Sequence, residues 1–269
     1  MTLSTLTRRL LALFTVAALL FIYTPLALVV VNSFNTSRTF AWPPPGFTTR
    51  WWSAAWESAG ARSAVLVSVE AALIATAVAL VLGTMAALAL QWFRFFGRDT
   101  VSLLIILPIA LPGVVTGIAL ANAFLTMFGI QLGFFTLVVS HATFCIVTVF
   151  NNAIARLRRL GSNLEEASMD LGAGTFTTFR LVTLPMMRSA LLAGALLSFA
   201  LSFDEIIVTT FTAGSGLQTL PIWIYQNLFR PNQAPVVNVV AAALIVLSII
   251  PIWLSQKLAG TDESVAAAR

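Results

Sequence analysis

The sequence has little of what most enzymes use for chemistry. It holds one cysteine, one histidine, two tyrosines and a single lysine, Lys257, in 269 residues. The lone Cys145 excludes an intrachain disulfide and, set in an apolar run, reads as a small buried residue. His141 has no second histidine to share a metal with and reads as a packed, hydrogen-bonded side chain. No metal site is expected. Gln256 precedes Lys257, so no Gly-Lys-Ser/Thr phosphate loop exists, and ATP that drove this protein would be bound by another subunit. A zinc-binding His-Glu-x-x-His, a nucleophile elbow and a cysteine with a partner base are also missing, so the chain reads as no enzyme and as binding no cofactor itself.

Charge is scarce as well. Charged residues make up 9% of the chain, against roughly 25% in soluble domains. Hydrophobic residues make up 59% and the mean hydropathy is +0.94. This composition predicts an all-α, polytopic membrane protein. The net charge of +5 does not point to nucleic acid, because no basic cluster is interleaved with exposed aromatics.

Six apolar runs predict six transmembrane helices. The first, residues 10–31, follows Arg8 and Arg9 and is too long for the core of a secretory signal, so it is expected to remain as an uncleaved span. Residues 32–60, with Pro43, Pro44, Pro45 and Trp51, Trp52, Trp56, predict an outer loop carrying an interfacial aromatic helix. The second span, 64–90, contains Glu70, which is either a functional intramembrane acid or a headgroup-level partner of Arg62. The third, 100–128, contains Pro108, Pro112, Gly113 and Gly117, the pattern of a kinked helix lining a path. A turn at 129–133 leads to the fourth span, 134–154. The fifth, 188–211, is read as one apolar helix that carries Asp204 and Glu205. About 24 Å of helix separates Asp204 from Arg188. The acids are expected to face an internal cavity rather than an interface, because the apolar residues 206–211 continue beyond them. A glycine turn at 213–216 and an outer segment through Pro235 precede the sixth span, 236–254.

The long polar interruption is residues 165–185, EEASMDLGAGTFTTFRLVTLP. Asn163 can cap a short helix with Glu165 and Glu166 in its first turn. Gly172 and Gly174 then stop it, and a second short segment is expected to end at Thr183-Leu184-Pro185. The order Glu166-Ala167-Ser168, Gly172, Val182-Thr183-Leu184-Pro185 resembles the coupling loop of bacterial ABC importer permeases, with Ser168 and Val182 as mild departures. LPGVVTGIAL in the third run, SHATFC in the fourth and LSFDEIIVTTF in the fifth resemble the spermidine/putrescine type of these permeases.

That resemblance implies a type I ABC importer permease fold with coupling loop 156–187 inside a permease domain 10–258, between a cytoplasmic N-terminus 1–9 and a cytoplasmic tail 259–269. It implies a second homologous permease, two copies of an ATPase holding ATP and Mg, and an extracytoplasmic substrate-binding protein, in a bacterial inner membrane. It also implies that Glu165, Glu166, Ala167, Ser168, Leu171, Gly172, Phe176, Leu184 and Pro185 couple to the ATPase, with Phe179 a further docking candidate. Eleven of the 15 Lys and Arg fall on the face holding this loop and both termini, and Arg38, Arg50, Arg62 and Arg230 on the other, which predicts a cytoplasmic loop.

A polyamine pathway needs carboxylates and aromatic faces to replace water. Asp204, Glu205 and Glu70 supply the first, and Phe203, Trp223 and Tyr225 the second. Related permeases carry other small organic solutes, including amino-acid-like compounds, or iron(III), so these substrates remain alternatives. A passive channel or a membrane scaffold is a further one.

Overall fold

The computed structural model describes residues 4–39, 41–161 and 163–249. Among them the structure is helical, with one isolated antiparallel bridge between Asn35 and Phe47. The chain divides into two compact units, Met1–Arg62 with Ile224–Arg269, and Ser63–Trp223.

In the first unit, α1 (Thr5–Asn32) starts at Ser4, whose hydroxyl accepts from the Thr7 N–H. No residue of α1 is buried and its leucines and phenylalanines are exposed, as expected of a lipid-facing span. The loop after α1 folds around Asn35, whose carbonyl accepts from the Trp51 indole at 2.9 Å. Phe34 stacks on Trp52, and the Arg50 guanidinium lies 4.3 Å from the Trp51 ring centre. This is the expected aromatic helix, α2 (Arg50–Glu57). The unit closes with α12 (Ala234–Ile249). The end of the predicted sixth span and the tail lie outside the described residues.

The second unit holds most of α3 (Ala59–Trp92), then α4 (Arg98–Ala110), α5 (Gly113–Asn122), α6 (Phe134–Leu160), α7 (Asn163–Asp170), α8 (Thr175–Thr178), α9 (Leu184–Phe203), α10 (Ile207–Thr212) and the start of α11 (Leu220–Asn227). Its core is α6, which packs alanines of α3 against Phe150, Ala153 and Val149. At Gly83 a Cβ would lie 2.9 Å from the Ile146 carbonyl oxygen, so only glycine lets α3 and α6 approach this closely.

Four helices, counting Thr175–Phe203 as one, are long and apolar enough to cross a membrane. The broken pair Arg98–Ala110 and Gly113–Met127 makes up to five. Six crossings are therefore not all visible among the described residues, where α12 spans only Ala234–Ile249.

Two spans and the end of the polar loop differ from expectation. The third is not kinked but broken, its halves meeting at 106°. Pro112 has no N–H to continue the helix and forces Leu111 into extended backbone (φ −83°, ψ 144°). The fifth is not one helix through its acids. It stops at Phe203, Asp204 leaves helical geometry (φ −91°, ψ 0°), and α10 starts afresh at Ile207. Conversely, Pro185 ends nothing. A π-helical turn, Phe179–Thr183, joins α8 to α9, and Pro185 falls in the first turn of α9, where its missing N–H is harmless. Thr175–Phe203 is thus one continuous 29-residue helix.

Candidate functional site

The two interruptions lie side by side. Gly113, first residue of α5, faces Ile207, first residue of α10, with a Cβ at Gly113 only 3.4 Å from Ile207 Cγ2. One turn on, a Cβ at Gly117 would fall 2.7 Å from the Phe211 ring. Two glycines on one face of α5 therefore seat α10 against it. Interrupted helices within a membrane are tolerated where their freed backbone groups line a cavity, and paired interruptions mark transporter binding sites.

The two acids in this break do different things. The Glu205 carboxylate accepts from the Val208 N–H at 2.9 Å, capping α10, and the cap sets its negative charge against the positive end of that helix. Asp204 follows the last residue of α9, at the negative end of a 20-residue helix. It is exposed, and its carboxylate has no hydrogen-bond or ion-pair partner among the described residues. Carbonyl end and free carboxylate together form a site suited to a cation. Phe203, half-buried, stacks on Phe199 at 5.8 Å.

His141 of α6 pins both sides of the break. Its Nδ1 is 2.7 Å from Ser202 Oγ, on α9, and its Nε2 is 2.8 Å from Thr209 Oγ1, on α10. Thr209 already donates its hydroxyl proton to the Glu205 carbonyl, so it accepts from His141, which places the ring proton on Nε2 and leaves Nδ1 to accept from Ser202. The histidine is fully buried.

Glu70 is exposed on α3 and makes no hydrogen bond or ion pair among the described residues. Trp223 is buried, and Tyr225, on the part of α11 in the first unit, is exposed. Among the described residues no three His, Cys, Asp or Glu side chains form a metal-ligating group.

At the other end of Thr175–Phe203 lies the polar loop. Here α7 begins at Asn163 itself, so the predicted cap is the first residue of the helix, and Gly172 takes a left-handed φ of +87° that ends it. Glu166, Ala167, Leu171, Phe176, Leu184 and Pro185 are exposed, Leu171 at 90% and Phe176 at 74%. Ser168 faces inward, 3.1 Å from the Thr178 hydroxyl, and Phe179 packs on the core rather than outward. Glu165 is also turned inward, accepting from the Trp92 indole at 2.9 Å and the Thr183 hydroxyl at 2.6 Å. Sequence reasoning missed this pair of contacts, and it missed the partners of His141. No local pattern announces them, since Trp92 lies 73 residues before Glu165, and Ser202 and Thr209 lie 61 and 68 after His141.

Residues 79–259 match the binding-protein-dependent transport system inner membrane component family. The chain is 36% identical over 246 residues to the spermidine/putrescine transport system permease protein PotC of Escherichia coli (strain K12), covering 91% of this chain and 92% of that protein. It is 34% identical over 232 residues to the putrescine transport system permease protein PotI of the same organism, covering 84% and 82%. A bacterial ABC transporter crystal structure, described as involved in import of the acidic polysaccharide alginate, superposes with a TM-score of 0.70 at 14% identity over 97% of this chain and 99% of that one. That likeness concerns the fold.

Proposed function

The chain belongs to the family of inner-membrane components of binding-protein-dependent transport systems, and from that premise we propose that it forms half of a polyamine import pathway. The similarity to permeases named for spermidine and putrescine supports the substrate class. The observation that carries the reading is the break at residues 204–206, where a free carboxylate stands at the carbonyl end of a helix. Ammonium groups separated by methylenes are matched by such a site: carboxylate and carbonyls replace water around the charge, while Phe203 and its neighbours accommodate the methylenes.

In this reading a second homologous permease supplies the facing half, an extracytoplasmic binding protein delivers the substrate, and two ATPase subunits holding ATP and Mg dock on the loop at 156–187. Leu171 and Phe176, apolar and exposed, form the docking face, with Glu166 beside them. The broken pair counts as one crossing and α12 as another, giving six spans with loop and both termini in the cytoplasm. The excess of arginine on that face supports this orientation.

The test is ATP-dependent uptake of radiolabelled putrescine and spermidine by vesicles carrying the whole complex. Asp204→Asn raises the apparent KM about tenfold or more, the equivalent of ~1.4 kcal/mol of cation binding. Glu205→Gln is milder, because the Gln side-chain oxygen still accepts from Val208 N–H. Equal KM values for native and Asp204→Asn refute the site. Uptake of another solute in place of polyamines refutes the substrate.

A further inference from the structure

The loop holds two adjacent acids with opposite surroundings. Glu166 is exposed, while Glu165 spends both carboxylate oxygens on partners within the second unit. Oε2 accepts from the indole N–H of Trp92, the last residue of α3, and Oε1 accepts from the hydroxyl of Thr183, the last residue of the π-helical turn below α9. Thr183 is itself buried. One carboxylate thus joins three elements: α7, the end of α3, and the root of the continuous helix Thr175–Phe203.

The rest of the attachment of α7 is loose. Left-handed glycines flank it, Gly161 at φ +67° and Gly172 at φ +87°. Besides Glu165, the side-chain hydrogen bond that tethers α7 among the described residues is the Ser168–Thr178 hydroxyl contact. Charged acceptors make the stronger hydrogen bonds, so the Glu165 pair dominates. Without it, α7 would be free to pivot on its two glycines.

We infer that Glu165 is a positioning residue, the joint through which displacement of α7 is passed to α3 and α9 together, and not a contact to the ATPase. This rests on the reading that an ATPase docks on the loop. A load applied to the exposed face of α7, at Glu166 and Leu171, reaches the spans through the Trp92–Glu165–Thr183 contacts. Loss of either contact lets α7 move without moving one of the two helices.

The test measures ATP hydrolysed per putrescine imported by the complete complex in vesicles with its binding protein. Trp92→Phe keeps the ring and removes the N–H; Thr183→Val keeps the volume and removes the hydroxyl. Each raises the ratio several-fold, and Glu165→Ala raises it at least as much as Trp92→Phe and Thr183→Val combined in one protein. Glu165→Gln, which can accept from Trp92 and donate to Thr183, stays near the native ratio. A native ratio in Trp92→Phe, Thr183→Val and Glu165→Ala overturns the joint, even if hydrolysis and uptake fall in proportion, since proportional loss is what poor assembly produces. A native complex whose hydrolysis drives no uptake overturns the importer reading itself, and the joint with it.

Discussion

Replacing His141 by leucine removes the link between α9 and α10 while nearly preserving volume. Two buried neutral hydrogen bonds are lost, at 2.7 Å to Ser202 and 2.8 Å to Thr209, each worth about 1 kcal/mol net. Among the described residues Ser202 has no other side-chain hydrogen bond and is left with an unsatisfied hydroxyl, which adds about 1–3 kcal/mol. Rotation of that hydroxyl onto a carbonyl of its own helix brings the addition toward the lower figure. The total is about 3 kcal/mol, roughly a hundredfold in the equilibrium between the native break and alternatives to it. If the native arrangement is the substrate-competent one, the apparent affinity falls by the fraction of molecules that leave it. The assay is putrescine uptake kinetics alongside thermal unfolding of the purified complex. His141→Leu raises KM at least tenfold and lowers the melting temperature, whereas His141→Gln, with a donor and an acceptor, recovers part of both. Native KM and native melting in His141→Leu would refute the argument that this side chain holds the break.

Two further substitutions test the frame around these sites. Gly172→Val forces a β-branched residue into φ +87°, at about 1–2 kcal/mol or more, and should lower ATP-dependent uptake with the protein still present in the membrane; normal uptake refutes a need for this turn. Gly83→Ala sets a Cβ 2.9 Å from the Ile146 carbonyl oxygen and 3.0 Å from Val149 Cβ, and should destabilise the complex by about 1–3 kcal/mol; an unchanged melting temperature would show that α3 and α6 separate freely.

What the sequence discloses here is what lies within one helical turn of itself. The stop at Gly172 and the aromatic helix at Arg50–Glu57 follow from local pattern, and the structure places them so. Pro112 announces a disturbance but not its size. A 106° break needs α10 to receive the second half of the helix, and that depends on Gly113 and Gly117 meeting Ile207 and Phe211, some 94 residues later. Pro185 misleads in the opposite direction, because a π-helical turn has no hydropathy signature and leaves the apolar period on either side intact. The capping by Glu205 leaves only a weak local signal, an acid just before the helix it caps, since Glu is not among the preferred capping residues. The continuing apolar residues masked it, since they look the same whether one helix continues or a new one begins.

The correction at Pro185 changes how the chain can carry force. Had the helix ended there, the polar loop and the acids would sit on separate bodies joined by a proline bend, and displacement at one would dissipate before the other. Instead one helix of 29 residues, about 43 Å long, runs from Thr175 beside the loop to Phe203 beside Asp204. Its flexible points lie at its two ends: left-handed Gly172 before it, and the non-helical residues 204–206 after it. Between them it packs along α6, the most buried helix of the unit. A stiff rod with hinges only at its ends transmits a shift at one end to the other with little loss. Here Glu165 grips the lower end through Thr183, and His141 grips the upper end through Ser202. On the proposed reading the two grips have distinct failures: loosening the lower one wastes ATP with the substrate site intact, while loosening the upper one weakens substrate binding with the ratio of ATP to substrate intact.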